Sequence, residues 1–305
     1  MPIKYVVVHR NDQNNVGDIY ANPLQYFMPS DEYQVVDITN CRVDQFPDDV
    51  PVVVGGGGLL GNELFGEVIE SLLLAPDIAK AMQQWTDVWN IVSNTNGPIR
   101  DRFMEKLQPL VHNYLNELDG SKTPRILWGA GHNEDTARKV KAIAYPGWMN
   151  YFDLVGIRDY KQPYKWVPCA SCMHPALAKK YPIKNKVIWF EHKKQLIKAT
   201  NFGNDSIPRF INSGSNMEQT IELLGSSEVI ITNSYHGAYW GALLGRKVII
   251  TEPWSTKFWT LKHKPYTLGK FETWNDVLDD VSTYPHSLEE CMQVTKNYWA
   301  EVKQL

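Results

Sequence analysis

The sequence has few cysteines, no long apolar run and no strong excess of either charge. Four cysteines in 305 residues are too few for a disulfide framework in a chain of this size. No run of about 18 apolar residues occurs, so no membrane-spanning helix is expected. The apolar stretch near the N-terminus is too short for a signal peptide. Together these absences favour a reducing, cytoplasmic compartment.

Several signatures of binding and catalysis are also missing. With 31 Lys plus Arg and 34 Asp plus Glu, the net charge is -3, which argues against a nucleic-acid partner bound through a basic surface. The sequence has no P-loop, no G-x-S-x-G elbow and no D-x-D. Cys169 and Cys172 form one C-x-x-C with no second pair, so neither a metal nor a resident cofactor is expected.

What is present is a regular alternation of short β-rich runs with helical patterns, which is typical of parallel α/β layers. We predict an α/β fold with two Rossmann-like domains and a cleft between them. The boundary is placed in a stretch rich in Pro and Cys, which divides the chain into domains 1–178 and 179–305. The last helical stretch, 287–303, can pack back on the first domain.

The predicted elements follow the hydrophobic pattern. Strands are expected at 3–9, 33–38, 51–54, 125–130, 153–158, 187–191, 228–232 and 247–251. Helices are expected at 63–84, 99–118, near 134–144, from the S-x-x-E capping box of Ser215 and Glu218, and at 236–245 and 287–303. In parallel sheets, ligands bind at the carboxyl ends of strands, so the loops after the strands are the candidate sites.

Two such loops lie in the first part of the chain. After the first strand, N-V-G-D supplies Asn15, Gly17 and Asp18, where Asp18 either caps a helix or faces the cleft. After the third strand comes the run Gly55, Gly56, Gly57 and Gly58. Glycines without side chains at a helix start can bind a phosphate or carboxylate through backbone N–H groups, although a tight turn without a ligand would use them as well.

Three more loops carry polar residues. W-G-A-G-H contributes Gly131 and His132, and I-R-D contributes Arg158, which suits recognition of a carboxylate or phosphate. Glu252 follows the strand at 247–251 and is a candidate base that faces the cleft. Glu191 and His192 also end a strand and are further candidates to face the cleft.

The clearest loop joins the strand at 228–232 to the next helix. It contains Asn233, Ser234, Tyr235, His236 and Gly237. Small residues keep this helix thin on one side, so a ligand can approach its positive end. The imidazole at that end can act as a general acid, a general base or a donor to an anion.

Taken in order along the chain, these motifs resemble the polysaccharide pyruvyl transferase family. The set is N-V-G-D, G-G-G-G-L, G-A-G, R-D and H-G-A, and it extends from Asn15 to Thr251. The resemblance implies a fold similar to the two-domain glycosyltransferase B architecture. It implies phosphoenolpyruvate as co-substrate and a pair of sugar hydroxyls as acceptor, so that a pyruvate ketal forms on a glycan during polysaccharide biosynthesis. Work on an activated sugar would take place in the cytoplasm or at the inner membrane face.

The resemblance also implies roles for residues. Arg158 and His236 would bind the carboxylate and phosphate of the donor. In the resulting scheme, His236 is an acid or phosphate donor, Asp18 or Glu252 is a base, and the amides of 55–58 help to hold the anion. Tyr235, Trp240 and Trp254 would stack on the acceptor sugar.

Two departures keep other functions open. Family members commonly have Arg-Leu before His-Gly, where this chain has Ser234 and Tyr235, and Asp-Pro where it has His174 and Pro175. The alternatives are a nucleotide-sugar-dependent glycosyltransferase of the same architecture and a non-catalytic glycan-binding protein. The sequence is compatible with a homo-oligomer. It does not identify the acceptor sugar.

Overall fold

The computed structural model describes residues 2–41, 50–61, 65–66, 68–69, 123–134, 143–195, 207–270 and 272–305. The helices expected at 63–84, 99–118 and 134–144 fall wholly or largely outside these residues. Within the described part of the chain, no helix combines the length and the apolar character that crossing a bilayer requires.

The first half of the chain forms a six-stranded sheet in which every strand pair is parallel. Its strands, in chain order, are β1 (Tyr5–His9), β2 (Tyr33–Asp37), β3 (Val52–Gly55), β4 (Arg125–Ala130), β5 (Leu154–Ile157) and β6 (Lys165–Trp166). Their order across the sheet is β2-β1-β3-β4-β5-β6. The central strands are nearly free of solvent contact because apolar residues occupy both faces, as in doubly covered parallel sheets.

The second half forms a five-stranded parallel sheet. Its strands are β7 (Asn185–His192), β8 (Arg209–Asn212), β9 (Ser227–Thr232), β10 (Lys247–Ile250) and β11 (Tyr266–Thr267). The order across the sheet is β11-β10-β9-β7-β8, which repeats the connectivity of the first five strands. The predicted α/β fold class is therefore confirmed as two parallel sheets. In such sheets ligands bind where the strand order reverses, here beyond the ends of β1 and β3 and of β7 and β9.

Four α-helices are described: α1 (Val16–Ile19), α2 (Met217–Gly225), α3 (Tyr235–Leu243) and α4 (Ser287–Val302). Short 3₁₀ helices lie at Leu24–Tyr26, Ile38–Asn40, Gly147–Tyr151, Ala170–Met173, Pro175–Ala178 and Thr256–Phe258. The predicted capping box of α2 is wrong. The side chain of Asn216, not that of Ser215, caps the helix by accepting a hydrogen bond from the Gln219 N–H at 3.0 Å. Asparagine caps a helix as well as serine does, so the helix begins one residue later.

Helix α3 is buried on every side. A Cβ on Gly237 would lie 2.5 Å from the Phe190 ring, and one on Gly241 would lie 2.7 Å from Val248 Cγ2. These small residues let α3 lie flush against the second sheet. The thin side of the helix therefore faces the sheet rather than a ligand, which corrects the expectation that Gly237 binds substrate.

The C-terminal helix α4 contacts both halves of the protein. Near its start, Ser287 Oγ donates a hydrogen bond to the Ala242 carbonyl of α3 at 3.0 Å. Near its end, Tyr298 Oη donates to the Leu127 carbonyl of β4 at 2.6 Å. Trp299 stacks on the Trp128 ring with 5.9 Å between the ring centroids. The helix thus ties the second sheet to the first and fixes the spacing of the strand ends.

We expect Tyr298→Phe to lower the free energy of unfolding by about 1–2 kcal/mol, because a buried carbonyl loses a hydrogen-bond donor. Urea unfolding followed by tryptophan fluorescence measures this. Tyr284→Phe is the matched control, since the Tyr284 hydroxyl donates to the Lys264 carbonyl at an exposed position. An equal loss in both variants would contradict the linking role of the Tyr298 bond.

Candidate functional site

A cleft of about 260 Å³ lies where the carboxyl ends of the two sheets face each other. Residues of the first half line one side, namely Arg10, Asp12, Asn15, Asp18, Asn133 and Arg158. Residues of the second half line the other, among them His192, Lys193, Asn212, Ser234, His236 and Lys257. Each wall includes residues that follow the strands where the strand order reverses, β1 and β3 on one side and β7 and β9 on the other. This is the position at which α/β proteins bind ligands.

The lining of the cleft is strongly basic. It includes five Arg or Lys residues, at positions 10, 158, 193, 194 and 257, and two carboxylates, at positions 12 and 18. This distribution contrasts with the net charge of -3 for the whole chain. A cleft with this excess of positive charge concentrates anions and suits an anionic ligand.

Arg158 is the most unusual of these cations. The residue follows β5, is 4% exposed, and its Cζ lies 3.9 Å from the centroid of the Tyr235 ring. Its Nε is buried without a hydrogen-bond partner. The adjacent Asp159 does not pair with it, because its carboxylate accepts bonds from the His132 N–H, the Tyr145 hydroxyl and the Thr260 hydroxyl. A buried guanidinium without a counter-charge is costly, and a bound anion would relieve that cost.

His236 lies in the first turn of α3 and lines the cleft. Its Nε2 is 3.7 Å from Cys169 Sγ, and its ring packs so closely on Gly17 that a Cβ there would lie 1.9 Å from Nδ1. Burial, followed by the charges of Arg158 and Lys257, holds the pKa of the imidazole well below its usual value. The imidazole is therefore neutral near pH 7, and a bound anion would raise its pKa and make it an acid.

Asp18 also lines the cleft, and the capping arrangement of α1 holds its carboxylate. Asn15 Oδ1 accepts a bond from the Gly17 N–H at 3.1 Å, and Asn15 Nδ2 donates to Asp18 Oδ2 at 2.8 Å. Burial, with a smaller contribution from Asp12, raises the pKa of the Asp18 carboxyl to about 6. A carboxyl with this pKa exchanges a proton near neutral pH, as general acid–base catalysis requires.

The end of β7 and the loop after it contribute His192, Lys193 and Lys194 to the cleft. The sequence motifs named His192 only as a further candidate and did not identify the two lysines. Lys193 Nζ lies 2.6 Å from Asp12 Oδ2 and donates to the Asn14 carbonyl at 3.3 Å, so it bridges the two walls. The pKa of His192 is lowered to about 4, first by burial and then by Lys257, Lys193 and Lys194. The position of these residues just after a strand is the signal that could have identified them.

The glycine run serves mainly as a turn. Gly56 has φ +74°, a Cβ there would lie 2.1 Å from the Ala21 carbonyl oxygen, and its N–H donates to the Trp128 carbonyl at 2.9 Å. Gly57 has φ +78°, and its carbonyl accepts from the Gly131 N–H. Gly55 is the last residue of β3, and only Gly58 of the run lines the cleft. The expectation that all four amides hold an anion is therefore wrong, since the Gly56 amide is already bonded.

Three other expected site residues have structural partners or lie elsewhere. His132 is buried behind the cleft, with Nδ1 at 2.9 Å from Thr256 Oγ1. Asn233 Oδ1 accepts from the His192 N–H at 2.8 Å, so this residue shapes the loop after β7 rather than meeting a ligand. Glu252 is exposed and does not line the cleft, so its expected role as a base there is not supported. Its φ of +45° marks a turn that continues the chain past β10.

The aromatic residues expected to stack on a sugar also differ in position. Trp240 is fully buried and donates from Nε1 to Ser171 Oγ at 3.0 Å, so it belongs to the core. Trp254 does line the cleft, with Lys257 Nζ 3.8 Å from its ring centroid. In the described part of the chain, no cluster of three His, Cys, Asp or Glu side chains could hold a metal ion.

Comparison with known proteins adds little to this geometry. No family model matches the sequence, and no curated protein matches it. Among solved structures, the chain is similar to an uncharacterized protein from Klebsiella pneumoniae subsp. pneumoniae, with 12% identity and a TM-score of 0.37. The match covers 88% of this chain and 93% of that one. A similarity of this size does not indicate a function.

We expect Gly17→Ala to lower the free energy of unfolding by about 1–3 kcal/mol, because the added methyl group overlaps the His236 ring. Thermal or urea unfolding measures the loss. Gly147→Ala is the control, since a Cβ at that exposed glycine meets no atom within 4 Å. Equal stability of both variants would show that the contact between Gly17 and His236 is looser than the structure has it.

Asp18→Asn should stabilise the protein at neutral pH. The folded-state pKa of about 6 exceeds the ordinary value of 3.8, so the folded protein loses stability relative to the unfolded chain as pH rises from about 4 to about 6. The variant lacks this loss, so it should match the wild type near pH 4 and exceed it by about 1–3 kcal/mol above pH 6. Urea unfolding of both proteins between pH 4 and 8 tests this. A constant difference across that range would contradict the raised pKa.

Proposed function

We propose that this protein is a pyruvyl transferase of glycosyltransferase B-like architecture, which uses phosphoenolpyruvate to form a pyruvate ketal on a sugar. The observation that carries the proposal is Arg158, which lines a basic cleft between two parallel sheets, has a buried Nε without a hydrogen-bond partner, and forms no ion pair with the described residues. The ordered motifs described above support the same function. Phosphoenolpyruvate is a compact anion with a carboxylate and a phosphate, which matches the excess of positive charge around the cleft.

The reaction needs protons to move in a defined order. The methylene carbon of phosphoenolpyruvate takes a proton, and a sugar hydroxyl adds to the neighbouring carbon and releases its own proton. The bond from that carbon to the phosphate oxygen then breaks, and inorganic phosphate leaves. A second hydroxyl adds and loses its proton, which completes the ketal. Overall, one hydroxyl proton ends on the new methyl group and the other on phosphate.

The cleft offers groups for each step. Asp18, with a pKa of about 6, exchanges protons at neutral pH and is the better candidate for delivering and recovering them. His236 is neutral before the ligand binds, so its first role is as a hydrogen-bond donor or base. Compared with the scheme drawn from the sequence, the acid role passes from His236 to Asp18, and His236 keeps the role of a hydrogen-bond donor.

Charge near position 234 also bears on the proposal. Ser234 stands where family members commonly have Arg, and its hydroxyl accepts a bond from Asn212 Nδ2 at 3.0 Å. Lys193, Lys194 and Lys257 line the same side of the cleft. In this proposal they supply the positive charge for the donor phosphate that Arg supplies elsewhere.

A nucleotide-sugar-dependent glycosyltransferase is the second candidate. The neutral pair of Ser234 and Asn212 favours it, because position 234 then lacks the arginine that family members commonly have there. In this alternative the three lysines face a diphosphate.

Phosphoenolpyruvate should stabilise the wild-type protein by about 2.7 kcal/mol when present at about 100 times its dissociation constant. Arg158→Ala should weaken binding by about 10- to 100-fold, because the ligand loses a charge-assisted hydrogen-bond partner. A thermal-shift titration measures both effects. Lys184→Ala is the control, since that lysine forms an exposed ion pair with Glu222 away from the cleft.

Other outcomes of the same titration identify the other functions. Stabilisation by UDP, GDP or CMP conjugates, with no effect of phosphoenolpyruvate, would favour the glycosyltransferase. No stabilisation by any of them would favour a non-catalytic glycan-binding protein. Phosphoenolpyruvate binding that is unchanged in Arg158→Ala would contradict the role given to the guanidinium.

A further inference from the structure

Tyr235 holds a fixed position beneath Arg158. It is the first residue of α3 and is 6% exposed. Its ring stacks on Tyr239, with 6.0 Å between centroids and 19° between planes, and meets the His236 ring edge-on at 5.2 Å. The Arg158 guanidinium covers it at 3.9 Å. A ring with this many neighbours cannot also stack on a sugar, so the expected role of Tyr235 as a sugar platform is replaced by a contact with the arginine.

Gly131 limits Arg158 from another direction. A Cβ at position 131 would lie 2.3 Å from Arg158 Nε, 2.6 Å from Cγ and 2.9 Å from Cδ. The backbone of the loop after β4 therefore lies directly against the arginine stem. Since Nε is buried there without a partner, the two terminal nitrogens, Nη1 and Nη2, are the groups left to meet a ligand.

We propose that Tyr235 is a positioning residue that, together with Gly131, holds Arg158 as a preformed receptor for a carboxylate. This inference rests on the proposed function, and it names the part of the donor that Arg158 recognises. The terminal nitrogens of a guanidinium form a planar fork that pairs with both oxygens of a carboxylate in the same plane. A guanidinium can pair with phosphate as well, but the lysines at 193, 194 and 257 are point charges that suit the donor phosphate, so the carboxylate of the donor is left for Arg158.

The position of Tyr235 also accounts for the departure from the Arg-Leu pattern. A leucine fills space, but it has no π face to attract a guanidinium. With tyrosine at this position, Arg158 is held before the ligand arrives, so less conformational freedom is lost on binding. The gain should appear in affinity for carboxylates and not in affinity for phosphate.

Two variants separate positioning from packing. Tyr235→Phe keeps the ring, so it should bind phosphoenolpyruvate and pyruvate within about twofold of the wild type. Tyr235→Leu should bind both about 10-fold more weakly, while its affinity for inorganic phosphate stays unchanged. Calorimetric titration with these three ligands measures the affinities. Circular dichroism and the thermal midpoint establish that each variant is folded, and Tyr235→Met replaces the leucine variant if that one does not fold.

A ligand-free measurement tests the positioning itself. The Nε–H signal of Arg158 in ¹⁵N-resolved NMR, assigned with Arg158→Lys, should report a rigid side chain in the wild type and Tyr235→Phe but a mobile one in Tyr235→Leu. Equal mobility in all three would overturn the positioning role, whatever the ligands do. The protein could also show the expected change in Arg158 mobility and bind pyruvate but not phosphoenolpyruvate. That result would support Arg158 as a carboxylate receptor and would contradict the proposed pyruvyl transferase function. Equal weakening of phosphate and pyruvate binding would reject carboxylate selectivity.

Discussion

The charge of Arg158 is the constraint on which the cleft depends. The guanidinium lies between the Tyr235 ring and the backbone at Gly131, with a neighbouring Asp159 that is already bonded to other groups. Among the described residues no carboxylate pairs with it, and burying a cation without a partner costs several kcal/mol of solvation. The surrounding lysines add positive charge rather than neutralising it. A bound anionic ligand would pair with the guanidinium and would also balance the positive charge of the lysines.

The scaffold makes this arrangement possible by joining two similar sheets. Each contributes the carboxyl ends of strands at a reversal of strand order, so loops from distant parts of the chain meet in one cleft. Helix α4 links the sheets through Tyr298 and Ser287, while Lys193 and Asp12 form an ion pair between the walls. Gly17, from the first half, lies in close contact with the His236 ring from the second half, and both Asp18 and His236 line the cleft.

The sequence predicted eight of the eleven described strands, because buried parallel strands have a distinctive apolar pattern. It missed β6, β8 and β11, which are edge strands. It singled out Asn15, Asp18, Arg158 and His236, which line the cleft in segments that follow strands. The sequence could not distinguish glycines that bind a ligand from glycines that pack against other residues, because both are simply glycine in the sequence. Gly56 packs against Ala21, and Gly237 packs against Phe190. The place of Lys193 just after β7 pointed to the cleft, but its pairing with Asp12 could not be predicted, because Asp12 lies 181 residues away along the chain.

The most direct test of this account is a crystal structure of the protein soaked with phosphoenolpyruvate. The account predicts the ligand in the cleft, with its carboxylate oxygens about 2.7–2.9 Å from the terminal nitrogens of Arg158 and its phosphate toward the lysines of the second half. A cleft that stays empty at saturating ligand, or a ligand bound with its phosphate on Arg158 and its carboxylate elsewhere, would contradict it.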